Sequence, residues 1–309
     1  MTQPLESTAF QPRLALRAGL ASIAVVTVLI LIKTVAYIIS GSASILASLI
    51  DSITDAGISV LSFMAIRESL KPPDKNHRYG HGKIEGLAAV LQAAFIAGAA
   101  LYLGLEALGR LANPQPVGAY GLGIVVMLVS IGLSLALVFY QKKIMRAAPS
   151  LAVEADSAHY ASDIAINAGV IVALGLQYFG APVWVDTGFA LCVAIALLGT
   201  VYKVGRKGID MLLDHELPKE TREQIKEIIL SDRRVHSVHD IRTRASGMNI
   251  HISFDIEVDD TLTLKAAHDI AVAVELELLK EFPNAEVMIH IDPLGDTYDH
   301  RHNIAGVHP

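Results

Sequence analysis

Six apolar segments, each about as long as the roughly twenty residues that cross a bilayer, dominate the chain before residue 208. They run from Leu14 to Ile39, Ser42 to Glu68, Lys83 to Leu111, Val117 to Gln141, Leu151 to Phe179, and Val183 to Tyr202. Turn-forming stretches separate several of them: SGS at Ser40 to Ser42, NPQP at Asn113 to Pro116 and GAP at Gly180 to Pro182. A chain that is 52% hydrophobic and only 18% charged fits the same picture, and an ordinary soluble domain does not. The single cysteine, Cys192, excludes a disulfide framework or a multi-cysteine metal centre. A formal net charge of -6 argues against a nucleic-acid partner. The opening MTQPLESTAFQPR offers no short apolar core followed by a small-residue cleavage site, so no removable signal peptide is expected.

Basic residues fall on one set of connections. Arg13 and Arg17 precede the first segment, and Arg67, Lys71, Lys75, Arg78 and Lys83 lie between the second and third. Lys142, Lys143 and Arg146 lie between the fourth and fifth, and Lys203, Arg206 and Lys207 follow the sixth; the opposite set has Arg110 and almost nothing else. The positive-inside rule then puts both termini in the cytoplasm.

Near Gly208 the composition changes to intermixed acids and bases. ELPKETREQIKEIILSD reads as a helix, VHDIRTRAS and NIHISFDIEV as strands, Leu262 to Phe282 as a second helix and AEVMIHID as a last strand. In the second strand Ile250, Ile252, Phe254, Ile256 and Val258 alternate with His251, Ser253, Asp255 and Glu257, so one face is apolar and the other polar. The order predicts a two-layer α+β unit with helices on one face of a sheet. The expected organisation is an N-terminal segment over 1–13, a six-helix transmembrane domain over 14–208, a cytoplasmic α+β domain over 209–295 and a mobile tail over 296–309.

Within this frame SLIDSITDAGISVLSF is out of place, because Asp51 and Asp55 interrupt a membrane segment. A charged residue at a helix centre costs roughly 2.5 to 3.5 kcal/mol on insertion scales, so two need compensation. A water cavity or an ion pair with Lys33 of the first segment is one compensation. A metal ion is another, because the fifth segment repeats the spacing in His159 and Asp163. Residues four apart share a helix face. Two such faces opposed make a set of three carboxylates and one imidazole, suited to tetrahedral Zn²⁺ or a related divalent ion and lacking the sulfur that Cu(I) prefers.

DSITD, HYASD, the six-helix plan, the loop DKNHRYGHGK and the C-terminal α+β unit together resemble the cation diffusion facilitators, closest to their bacterial zinc, cadmium and ferrous-iron efflux branch. The resemblance spans about residues 10 to 293. It implies a homodimeric, proton-coupled exporter of divalent metal in the bacterial inner (cell) membrane, not an enzyme, with Zn²⁺ first among cargoes and Cd²⁺, Fe²⁺ and Mn²⁺ behind. Residue by residue it implies a transport site of Asp51, Asp55, His159 and Asp163, and a loop site of Asp74, His77 and His81. It further implies a metal cluster in a metallochaperone-like domain from His239, Asp255, His268, His290 and Asp292, and a charge pair of Lys83 with Asp214. Asp255 departs from the zinc-efflux pattern, where a histidine is usual, which hardens that cluster; His251, also on the polar face, is a candidate replacement ligand. Read from residues alone, the loop and domain histidines also fit plain solvated polarity, as do His300, His302 and His308 of the tail. Gly57, Gly169 and Gly175 fit close packing or bending of the helices. A catalytic metal in a membrane enzyme lacks any H-E-x-x-H helix or separate general base here. The remaining alternative is a metal-sensing membrane scaffold that binds ions and moves none.

Overall fold

The computed structural model describes residues 13–41, 43–112, 121–178 and 183–295. The 1–12 segment, the NPQP and GAP turns, Ser42, and the tail with His300, His302 and His308 lie outside them. Two compact units divide at Asp214/His215, apart from the short stretch Ser246–Met248.

The first unit contains six helices: α1 (Arg13–Ser40), α2 (Ala43–Ser69), α3 (Ile84–Ala112), α4 (Gly121–Met145), α5 (Leu151–Tyr178) and α6 (Val183–Leu212). At 1.5 Å per residue, a 28-residue helix such as α1 is about 42 Å long, enough to cross a bilayer and reach past it. Among the described residues, five of these helices, α1, α2, α3, α4 and α6, are long and apolar enough by composition to do so. α5 has the same 28-residue length as α1, and its first half carries Glu154, Asp156, His159 and Asp163. The bundle is polar inside and apolar outside. Ser22, Ser59, Ser62, Gln92, Gln141 and Asp156 are buried, while Leu31, Ile38, Leu101, Tyr102, Ile195 and Leu198 are exposed. In water that arrangement would leave a large apolar surface uncovered; in lipid it is the favourable one.

Two segment ends differ from the sequence reading. The fourth helix, whose expected start at Val117 lies outside the described residues, runs on past Gln141 through Lys142 and Lys143 to Met145. α6 continues ten residues past Tyr202, so the expected domain boundary at residue 208 falls inside it. Basic residues mark where a helix leaves the apolar layer, not where its hydrogen bonding ends. α3 packs along α6, α1 along α2 and α4 along α5. The first of these contacts requires glycine: a Cβ on Gly208 would lie 2.8 Å from the Gly86 carbonyl oxygen and from Val90 Cγ2.

The second unit contains α7 (Lys219–Leu230), β1 (Ser237–Ser246), β2 (Asn249–Val258), α8 (Leu264–Glu281) and β3 (Ala285–Pro293). The sheet order is β1-β2-β3. A two-residue link, Gly247-Met248, joins β1 to β2, with Gly247 in the left-handed region at φ 61. β2 and β3 run parallel, Ile250 opposite Ala285 through Val258 opposite Pro293, as a helical crossover between them demands. Thr263 caps α8 by accepting from the Ala266 N–H at 3.3 Å. Ile252, Phe254, Ile256 and Val258 of β2 bury against Ile225 and Ile229 of α7 and Ile270, Val274 and Leu278 of α8. Both helices thus share the apolar face of the sheet, and β2's alternation leaves its polar residues on the other.

Candidate metal-transport site

The 3.6-residue period places Asp55 on one face of α2, and His159 and Asp163 one turn apart on α5. The two helices bring these residues together. His159 Nε2 is 3.1 Å from Asp55 Oδ1 and 3.7 Å from Asp163 Oδ2. One ligand atom from each of the three lies within 4.8 Å of the others, with Asp55 and His159 buried and Asp163 half-buried. Asp51, one turn before Asp55, is exposed on α2 and does not join this group. Lys33 is buried and donates to Ser48 O at 3.0 Å and Ser52 Oγ at 2.6 Å. That fixes its ammonium against the backbone and a hydroxyl of α2.

The connection between α2 and α3 gathers Asp74, His77 and His81. His77 Nδ1 is 3.3 Å from Asp74 Oδ1, His81 Nε2 is 3.4 Å from Asp74 Oδ2, and the two rings are 4.5 Å apart. The backbone N–H groups of His77 and Asn76 point at Asp74 at 2.7 and 2.8 Å, and they hold its carboxyl below the usual carboxylate range. His81 Nδ1 is buried and has no hydrogen-bond partner among the described residues. Just beyond, Lys83 Nζ lies 2.8 Å from Asp214 Oδ2, which follows α6 in the left-handed region at φ 56.

On the polar face of the sheet, Asp255 of β2 stands opposite His290 of β3. His239 Nε2 lies 3.3 Å from Asp292 Oδ2 and 4.0 Å from Asp255 Oδ2, and His290 Nε2 lies 3.1 Å from Asp292 Oδ1. Burial pushes the Asp255 carboxyl up, and the nearby His290 and His239 work against that shift. His268 is exposed on α8 and stands outside the group formed by His239, Asp255 and Asp292. His251 pairs instead with Glu286, opposite it in register, at 3.1 Å.

The proposed packing glycines divide. A Cβ on Gly57 would meet nothing within 4 Å among the described residues, so no close approach to them requires that glycine. One on Gly169 would make ordinary contacts with Val193 and Phe189 of α6 at 3.5 and 3.6 Å. The surroundings of Gly175 lie outside the described side chains.

Two buried acids escaped the sequence reading. Glu85, in the first turn of α3, accepts from Ser69 Oγ of α2 at 2.8 Å, and from Ser150 Oγ at 2.7 Å and the Ala152 N–H of α5 at 3.3 Å. It clamps three helix ends together. Asp156 lies one turn before His159 on α5 and is 1% exposed. Neither shows the repeated four-residue spacing that marked the other acids; the available signal was an acid or amide inside an otherwise apolar helix face.

Residues 19–213 match the cation efflux transmembrane domain family, and residues 217–294 the family of cation efflux protein cytoplasmic domains. The cation-efflux pump FieF of Shewanella oneidensis is 46% identical over 277 residues, covering 90% of this chain and 93% of its own. FieF of Klebsiella pneumoniae subsp. pneumoniae is 42% identical over 283 residues, covering 91% and 93%. The solved zinc form of the putative zinc transporter CzrB is 29% identical, covers 27% of this chain and 96% of its own, and superposes with a TM-score of 0.26. With helices of spanning length, both domain matches in order and efflux pumps as its relatives, the chain belongs to the cation diffusion facilitator family, whose members are transporters and not enzymes.

Proposed function

We propose that this chain exports a divalent metal ion from the cytoplasm in exchange for protons, with zinc as the first cargo and Cd²⁺, Fe²⁺ and Mn²⁺ behind it. The observation that carries the reading is the trio of Asp55, His159 and Asp163, with Asp55 and His159 buried, where α2 and α5 meet. Acids in a membrane bundle are costly unless a cation or protons neutralise them. A nitrogen and oxygen donor set suits Zn²⁺, and Asp51 is placed one turn along α2 to complete four ligands when the helices shift. Metal ligands must shed protons to bind, so a metal ion and protons compete for this cluster. An inward proton gradient then drives the metal outward, provided the cluster faces each side in turn.

The basic ends of the helices face the cytoplasm in this reading, in the inner membrane of a bacterial-type cell. The soluble unit belongs with them, and its sheet cluster of His239, Asp255, His290 and Asp292 binds cytoplasmic metal and favours the active homodimer. The family of its cytoplasmic domain supports the dimer. Asp74, His77 and His81 form a third, more exposed site.

Purified protein in vesicles loaded with a metal-sensitive dye separates export from sensing. Added Zn²⁺ is expected to raise the dye signal at a rate set by protein content, and His159→Ala to abolish that rise while the protein still binds metal through its soluble unit. Binding without any internal signal, in wild type as in the variant, would mean a metal-sensing scaffold.

A further inference from the structure

Polar side chains from five helices meet in one buried layer a turn away from His159. Asp156 of α5 accepts at Oδ2 from Ser22 Oγ of α1 at 2.5 Å and from Gln141 Nε2 of α4 at 2.7 Å, and the same amide nitrogen lies 3.0 Å from Ser22 Oγ. Gln92 of α3 donates through Nε2 to Ser62 Oγ of α2. The Tyr160 hydroxyl lies 2.8 Å from Ser59 Oγ of α2 and donates to Ser22 O at 3.4 Å. None of these residues is more than slightly exposed.

Counting donors against acceptors exposes a deficit. Asp156 Oδ1, Gln92 Oε1 and Gln141 Oε1 are buried and make no hydrogen bond of ordinary length among the described residues; the Ser62 hydroxyl of α2, which takes the Gln92 amide, is a further donor beside the Asp156 carboxyl. All three are oxygens, so the layer is short of hydrogens. Turning the Gln141 amide over does not help, because its oxygen would then face the carboxylate oxygen of Asp156. The charged neighbour of Asp156 is His159, and no hydrogen bond or ion pair joins them among the described residues; that imidazole engages Asp55 and Asp163. Asp55 is one turn from Ser59 on α2, while α1, α3 and α4 present the neutral Ser22, Gln92 and Gln141 to the layer. A proton on the Asp156 carboxyl removes from the bundle interior a charge that no cation contacts among the described residues, and adds a donor to a layer short of them.

We propose that Asp156 is a second proton-binding site of the transporter, which releases its proton when a metal ion enters the Asp55–His159–Asp163 cluster and takes one up when the ion leaves. A dication one helical turn away favours the carboxylate over the acid by plain electrostatics, so the two sites are coupled without sharing a ligand. The step is an ionisation: the O–H bond of the carboxyl breaks, the electron pair stays on Oδ1 and the proton passes to water. This rests on the reading of the chain as a metal/proton exchanger.

Infrared difference spectra of the full chain in bilayers, with and without Zn²⁺, test it. The carbonyl band of a protonated carboxyl is expected to fall on Zn²⁺ addition in wild type and to be missing in Asp156→Asn. Protons released per Zn²⁺ bound should fall by about one in that variant, with the cluster's zinc affinity within a few-fold. Asp156→Asn is expected to fold and to melt no lower than wild type, since its amide supplies the missing donor. Should it fail to fold, Ser22→Ala, which removes one donor to Oδ2, must shift the band. An unchanged band and proton count in Asp156→Asn, or an unmoved band in Ser22→Ala, overturns the proposal. A wild type that moves zinc with no proton flux in vesicles defeats the exchanger reading instead, while the infrared band still decides whether Asp156 holds a proton.

Discussion

His159 Nε2 lies 3.1 Å from Asp55 Oδ1, a contact between residues 104 apart in sequence that ties the first half of α5 to the middle of α2. Removing either partner strands the other in a low-dielectric bundle, and takes one donor from the group it forms with Asp163. Asp51 has a different place, one turn away and exposed. Asp55→Asn and His159→Ala are therefore expected to lose metal binding at this site. Asp51→Asn is expected to keep it with affinity reduced about tenfold, or about 1.4 kcal/mol. Zinc titration of the three variants, with the soluble cluster blocked by His290→Ala and Asp292→Ala, measures the difference.

The meeting of Asp55 with His159 and Asp163 was legible in the sequence because two acids four apart, and a histidine and an acid four apart, break long apolar runs at a helical period. Ser22, Gln92 and Gln141 were not, since one hydroxyl or amide in an apolar helix has no periodicity to announce it. Glu85 was hidden for another reason: beside Lys83 it reads as one more charge at a helix start, and only the fold brings Ser69, Ser150 and Ala152 to it. The α+β unit was readable almost strand by strand from the alternation of Ile252, Phe254 and Ile256 with polar neighbours. His268, in contrast, sits on an exposed turn of α8 that alternation in the strands cannot relate to the sheet face.

Glu85 is fully buried and accepts three hydrogen bonds from two other helices. Glu85→Ala leaves buried donors without an acceptor, each costing about 1–3 kcal/mol. Thermal unfolding in detergent is expected to shift downward by several degrees, with Glu85→Gln falling between the variant and wild type. An unchanged transition would mean the clamp adds nothing.

Lys83 and Asp214 are both more than a third exposed, so their 2.8 Å contact is a weak stabiliser, about 0.2–1 kcal/mol. A double-mutant cycle of Lys83→Met and Asp214→Asn is expected to give a coupling energy in that range, because Asn tolerates the left-handed backbone at 214 while removing the charge. If the pair links α3 to α6 during transport, the single variants should slow metal movement far more than they lower stability. Equal small effects on both would reduce the contact to an ordinary surface pair.

Burial raises the Asp255 carboxyl above its ordinary value, which means the folded domain favours the neutral acid. The stability it gives is whole below the unfolded value of about 3.9 and is lost as pH rises through the folded value. Without metal, Asp255→Asn is expected to gain stability over wild type as pH goes from about 3.5 to 7, and with Zn²⁺ or Mn²⁺ to lose that advantage, because the ion needs the carboxylate. Melting curves of the full chain across pH, in chelator and in metal, give both signs.

Metal movement into vesicles under an imposed pH gradient, with Asp55→Asn alongside wild type, tests the central claim most directly. Zinc movement in wild type is expected to speed up when protons can flow the other way, to slow when the gradient is collapsed, and to be lost in Asp55→Asn. Zinc movement at one rate with and without the gradient, or equal movement in the variant, would contradict it.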